Sequence, residues 1–289
     1  MKALRTQTSE SKVCFMCLRC RSPWTLLFLS VFTFVPADAS PKQRVLRVCS
    51  DPNNLPFSNQ KREGFENRIA DLIARDLGAR LEYTWFAQRR GFVRNTLRAG
   101  LCDVVMGVPA HYDPVETTAP YYRSTYVFVT RADSKYRITS IEDPLLRQLR
   151  IGVHIVGDDY ANPPPVHALA RRGIVRNVSG YTVYGDYSQP NPPARLLEAV
   201  AEGRIDVAVV WGPFGGYFGQ RQSPPLRVVS TEQENDGPNL PFTFEIAMGV
   251  RKGGTRRREE LQGILDRHKR EIDAILVQYG VPLKPMGRR

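Results

Sequence analysis

The chain is poor in histidine. It has only His111, His154, His167 and His268, and no two are spaced as metal ligands. It has no Gly-x-Ser-x-Gly turn, so Ser50 lacks the setting of a hydrolase nucleophile. Catalysis by a metal or an activated serine therefore finds no motif. Long apolar runs are missing too. The longest, Trp24 to Val35, is broken by Thr25, Ser30 and Thr33 and falls short of the ~20 residues of a membrane span. Acidic residues are outnumbered, 29 Asp and Glu against 41 Lys and Arg, for a net charge of +12. The basic residues are scattered. Their densest runs, Arg256–Arg258 and Arg288–Arg289, read as solvated faces and not as a nucleic-acid stripe.

The amino terminus reads as a signal peptide over residues 1–39. Lys2, Arg5, Lys12, Arg19 and Arg21 precede the apolar run, and Ala37-Asp38-Ala39 forms a small-x-small cleavage site. The expected mature chain starts at Ser40, acts in the periplasm and has no membrane span. Residues 1–39 hold five basic and two acidic residues, so the mature part keeps 36 and 27, a net of +9. Such a charge favours acidic partners. Cys14, Cys17 and Cys20 fall in the leader and drop out. Cys49 and Cys102 remain. An even pair in an exported chain points to a disulfide. Neighbouring parallel strands would instead hold the two cysteines several residues out of register, beyond disulfide reach. The sequence leaves that choice open.

One phrase occurs twice. Gly100-Leu101-Cys102-Asp103-Val104 returns as Gly203-Arg204-Ile205-Asp206-Val207, each followed by an apolar run and a Pro. Gly suits the position that ends a helix, and the apolar run reads as a buried parallel strand. Two such units predict two α/β lobes, with ligands bound outside the carboxyl ends of their strands.

The order of elements agrees. A strand at Val45–Cys49 leads into a turn-rich loop through Phe57. Phe65, Ile69, Leu72, Ile73 and Leu77 mark an amphipathic helix. Strands follow at Leu81–Phe86 and Asp103–Val108, with a short basic helix at Gln88–Ala99 between them. Further strands are expected at Thr125–Thr130, Arg150–Ile155, Ile205–Val210 and Phe244–Val250. A last long helix spans Glu259–Tyr279.

This order resembles the type II periplasmic solute-binding proteins of ABC uptake systems, over nearly all of the mature chain. Four stretches are similar, more narrowly, to the MoxJ/XoxJ group: Cys49–Asn59, Gly64-Phe65-Glu66-Asn67, Gln88–Leu97 and Cys102–Pro109. The resemblance implies an α/β, two-lobed, periplasmic-binding-protein-like (type II) fold with a central cleft and hinge. Lobe 1 is expected at residues 40–131 plus 240–289 and lobe 2 at 132–239, with crossings near Thr130-Arg131 and Leu240-Pro241. It also implies a non-enzymatic accessory role in maturing, activating or loading a periplasmic PQQ-dependent alcohol dehydrogenase of the methanol dehydrogenase kind. The dehydrogenase, and its cytochrome c with it, would be the partner. No cofactor is expected to stay bound, with PQQ as a transient ligand.

The alternative is solute capture for an ABC importer. Amino-acid-binding relatives carry an Arg that clamps the ligand carboxylate after the third strand. This chain has Asp113-Pro114-Val115-Glu116 there, and Glu116 would repel a carboxylate. Arg123 is the neighbour that could substitute.

Strand-end loops are expected to line the cleft. From lobe 1 come Asp51, Asn53, Asn54, Phe57, Pro109, His111, Tyr112, Tyr121 and Tyr122. From lobe 2 come Asp158, Asp159, Trp211 and Phe214. Inter-lobe packing would account for the aromatics equally well, and a loop or helix start for the Asp158-Asp159 doublet. Arg89, Arg90 and Arg94 are candidates for partner docking, with a solvated helix face as the plain alternative.

Overall fold

The computed structural model describes residues 43–156, 162–183 and 187–287. The leader reading at 1–39 lies outside them, as do Asp158 and Asp159. The chain begins with β1 (Val45–Ser50), a hairpin of β2 (Asn53–Asn54) and β3 (Ser58–Asn59), α1 (Phe65–Asp76), β4 (Arg80–Trp85), α2 (Phe92–Asn95) and β5 (Val104–Pro109). It continues through β6 (Glu116–Thr117), β7 (Tyr122–Arg131), β8 (Ile151–Ile155), α3 (Pro164–Arg171), β9 (Val178–Thr182) and α4 (Arg195–Ala201). The last elements are β10 (Val207–Trp211), α5 (Gly212–Gly219), β11 (Leu226–Ser230), β12 (Thr243–Val250), α6 (Thr255–Arg267) and α7 (Lys269–Gln278).

The main sheet runs β4-β1-β5-β12-β7-β10-β8-β9, with β6 on β12 and β11 on β7. β1 is parallel to β4 and β5, and β8 is parallel to β9 and β10. Each half therefore has a parallel core, as the buried apolar runs predict. The long β7 joins them. Tyr122–Thr125 pair with β12, whereas Tyr126–Arg131 pair with β10 and β11. The change of partner thus falls at Thr125–Tyr126, five residues before the expected crossing. The returning chain is tied at the same level, because the Phe242 carbonyl accepts from Tyr126 N and Thr125 Oγ1, both at 2.9 Å.

The repeated phrase has a structural meaning. Asp103 accepts from the backbone N of Arg47 at 3.0 Å and from its Nη2 at 2.9 Å. Asp206 does the same to Arg150, at 2.8 and 2.7 Å. In each half the Asp ahead of one strand grips an Arg near the start of its parallel neighbour, Arg47 inside β1 and Arg150 just before β8. A bidentate guanidinium–carboxylate pair has one geometry, so it sets the register. Arg47 and Asp103 hold each other charged. The guanidinium is raised, and Asp103 stays below the usual carboxylate range despite the opposing effect of its burial.

Two predicted helices differ from the observed ones. The helix expected over Gln88–Ala99 is only Phe92–Asn95. Thr96 Oγ1 donates to the Phe92 carbonyl at 2.7 Å and competes with helix continuation. The last helix starts earlier, at Thr255, and breaks at His268, whose φ of −103° and ψ of 16° leave the helix. There Arg267 and His268 both reach Asp76 at the end of α1, with Nη2 at 2.6 Å and Nε2 at 2.8 Å. Docking on α1 directs the break.

Packing of α5 is tight. A Cβ on Gly216 would meet the Gly280 carbonyl oxygen at 1.8 Å, a backbone atom that cannot swing aside. Gly216→Ala is expected to destabilise the fold by at least ~2 kcal/mol, read as a lower urea midpoint. An unchanged midpoint would show that the segment after α7 moves away freely.

Candidate functional site

The carboxyl end of β1 organises the site. Asp51 is buried, and its Oδ1 accepts from Asn53 N at 2.8 Å. Its Oδ2 accepts from Gln88 N at 2.6 Å and from the Tyr187 hydroxyl at 2.9 Å. Asn53 Nδ2 donates to the Gln189 carbonyl at 2.8 Å. Asp51 and Asn53 thus tie the β1 end to the segment around residues 187–191. They hold the surrounding loops together and do not line the cavity beside them.

That cavity measures ≈190 Å³ and is lined by Asn54, Phe57, Glu66, Gln88, Gly107, Val108, Pro109, Tyr122, Val183, Trp211, Phe214 and Ile246. Six of the expected cleft residues meet there: Asn54, Phe57, Pro109, Tyr122, Trp211 and Phe214. The walls are largely aromatic. Phe57 packs edge-on to Phe214 at 5.2 Å, and Phe214 in turn meets His154 at 5.2 Å. His154 is buried with Nε2 3.1 Å from the Pro193 carbonyl, and burial pushes its pKa down to about 4, so it is neutral support for Phe214.

Other expected residues lie elsewhere. Tyr121 belongs to the core, 2 % exposed, with its hydroxyl donating to the Met106 carbonyl at 3.0 Å. His111 is exposed and borders a separate cavity with Glu245 and Arg258. Tyr112 lines a third cavity of ≈510 Å³, which adjoins the aromatic one and shares Gln88, Gly107, Val108 and Pro109 with it. Arg89, Arg90 and Arg94 surround this cavity, and Arg98 joins them. Its floor is apolar, with Phe92, Val105 and Val108, and no acidic side chain is among its described lining residues.

Glu66 was not foreseen as a site residue. In the sequence it reads as an acid in the first turn of α1, a favourable place beside the helix dipole. Folding instead buries it to 5 % exposure at the cavity floor. Burial, with the nearby charge of Asp51 second, pushes its pKa up to about 8. Gly107 makes the room, since a Cβ there would lie 2.3 Å from Glu66 Oε1. Arg98 and Tyr187 were missed as well, and only the fold brings them in.

Among the described residues no arginine lines the aromatic cavity as a carboxylate clamp. Glu116 turns away onto the start of α6, accepting from Gly253 N and Thr255 Oγ1, both at 3.2 Å, and pairing with Arg258. Arg123 does not substitute, because it pairs with Glu234 at 2.9 Å and donates to the Pro285 carbonyl at 3.0 Å. Cys49 and Cys102 form a disulfide, with Cα atoms 5.6 Å apart. The register objection fails because Cys102 precedes β5, in a bent segment. There Asp103 N donates to the Arg47 carbonyl, and Cys102 is brought back beside Cys49.

A mixed α/β fold of the type II kind, with an aromatic cavity at its strand ends, defines a solute-binding protein. Residues 46–281 match the bacterial extracellular solute-binding proteins, family 3, and the chain belongs to that family. It is a MoxJ/XoxJ-like periplasmic binding protein. Protein MoxJ of Methylorubrum extorquens is 34 % identical over 256 residues, covering 86 % of this chain and 85 % of the relative. The crystal structure of the periplasmic binding protein XoxJ from Methylobacterium extorquens AM1 has a TM-score of 0.69 and 36 % identity, and covers 84 % of this chain and 100 % of that one. MxaJ from Methlophaga aminisulfidivorans MPT has a TM-score of 0.71 and 27 % identity, covering 83 % and 100 %. The extracellular family and the periplasmic binding protein XoxJ indicate the periplasm.

Proposed function

We propose that this protein is an exported, non-enzymatic accessory factor for a periplasmic PQQ-dependent alcohol dehydrogenase of the methanol dehydrogenase kind. It assists maturation, activation or cofactor loading by docking on the enzyme, or on its cytochrome c, and then releasing it. Similarity to MoxJ, XoxJ and MxaJ supports the class of client. The observation that carries the reading is the arginine-rimmed cavity formed by Arg89, Arg90, Arg94 and Arg98. A concentrated positive face speeds encounter with an acidic surface and loosens with salt. PQQ as a transient ligand fits here better than in the aromatic cavity. Its carboxylates suit guanidinium groups, and the charge of Asp51 behind the aromatic cavity opposes them.

Arg89→Glu/Arg90→Glu is expected to slow association with the dehydrogenase about tenfold at low salt, with the fold intact by circular dichroism. Interferometry at two salt concentrations reads it. Association indifferent to both salt and the double substitution removes the docking idea. A lost fold would make these arginines structural. The second reading, solute capture for an ABC importer, is favoured by the aromatic cavity at the strand ends. A neighbouring permease and ATPase gene pair would support it, and a neighbouring PQQ dehydrogenase and cytochrome c pair would support the accessory role.

A further inference from the structure

The aromatic cavity is chemically lopsided. Phe57, Tyr122, Trp211 and Phe214 give it four rings, and Glu66 is the one carboxyl group among its described lining residues. No Lys, Arg or His is among its described lining residues. Among the described residues nothing hydrogen-bonds the Glu66 carboxyl, although the residue is 95 % buried. A carboxyl that has no protein partner and opens onto a cavity is left for water or a ligand to satisfy. What completes it follows from sign and shape. Ring faces carry negative potential and attract cations. The carboxyl does the same, and Asp51 behind it adds to the field. For a carboxylate-bearing ligand the charge of Asp51 is unfavourable.

We propose that this cavity binds a small organic ammonium ion, with Glu66 as its counter-charge and the four rings as its cage. The volume of ≈190 Å³ restricts the ligand to a small alkylammonium. This concerns the aromatic cavity alone and does not rest on the dehydrogenase reading, which concerns the arginine face.

Binding has a proton signature. The titratable groups facing Glu66 are Asp51 at the end of β1, Tyr83 of β4, and Tyr121 and Tyr122 at the start of β7. β5 and β12 contribute Gly107 and Ile246. None of these supplies positive charge. With a pKa of about 8, the empty-site carboxyl is protonated at pH 7. When the ammonium enters, the carboxyl O–H releases its proton to solvent and the ligand keeps its own. About nine-tenths of a proton should appear at pH 7, falling to about one-tenth at pH 9.

Isothermal titration of the exported protein in two buffers of different ionisation enthalpy measures this. The probes are methylammonium, trimethylammonium and tetramethylammonium chlorides, with tert-butanol as a neutral shape control. The expected result is saturable binding of at least one ammonium, with proton release at pH 7 and no binding of tert-butanol. Glu66→Gln should lower the affinity at pH 8 more than tenfold and leave dehydrogenase docking kinetics unchanged. Trp211→Leu should weaken binding as well. Failure of all three ammonium ions to bind overturns the proposal, as does equal binding of tert-butanol or full affinity in Glu66→Gln. If Glu66→Gln does not fold, proton release by the parent protein decides: binding without release rejects Glu66 as the counter-charge.

Discussion

Glu66→Gln is expected to stabilise the protein at pH 8, with an advantage that shrinks steadily as the pH falls toward 5. The sign follows from linkage. Glu66 has a folded-state pKa of about 8 against an ordinary value of 4.5. Between those values the folded protein holds a proton that the unfolded chain has released. Stability then falls as pH rises through that window. Gln mimics the protonated acid in shape and carries no such slope. The difference approaches ~5 kcal/mol above pH 8, an upper figure because cavity water and relaxation reduce it. Urea denaturation of both proteins at pH 5, 6, 7 and 8 gives the comparison. Parallel stability curves would mean that the Glu66 carboxyl ionises as freely in the fold as in water. This acid destabilises the protein at the pH where it would bind a cation, as expected of a group kept for a ligand and not for stability.

Removing the disulfide should have an effect of similar size. Cys49 and Cys102 close a loop with a sequence separation of 53. Chain-entropy estimates for a loop of that length give ~4 kcal/mol. Cys49→Ser/Cys102→Ser should lower the urea midpoint accordingly, and reductant should destabilise the parent protein but not the variant. The damage should be local as well as global. Both sulfurs pack in a small cluster with Phe92, Leu97, Val105, Val108 and Val115. That cluster anchors the short α2 segment that carries Arg94 and sits beside Arg89. Hydrogen exchange over residues 88–99 should speed up in the variant more than exchange over β10. Uniform acceleration across the chain would show that the bridge acts only through the unfolded state. An unchanged midpoint would show that the bridge adds no stability.

The sequence determined much of this protein by itself. The 3.6-residue spacing of Phe65, Ile69, Leu72 and Ile73 is enough to form α1, because an apolar stripe on a helix must be buried. The apolar runs after Asp103 and Asp206 form β5 and β10 for the same reason, and the repeated phrase marks them as equivalent. Phe57, Trp211 and Phe214 were also legible, since they lie at or after the carboxyl ends of β1 and β10. Other features needed the tertiary structure. Arg47 and Arg150, the partners of the repeated Asp, lie 56 residues upstream and have no local mark. Tyr121 and Tyr122 are adjacent and chemically alike, and only packing sends one into the core and the other to the cavity. The cysteine pair depended on how the chain bends before β5, a non-local matter that strand register cannot reach. Glu66 is the clearest case. Its position in the first turn of a helix predicts a solvated acid, and what reverses that is the stacking of β5, β12 and four aromatic rings over it. Periodicity records which face of an element is apolar. It carries no record of what another element, distant in the chain, places against that face.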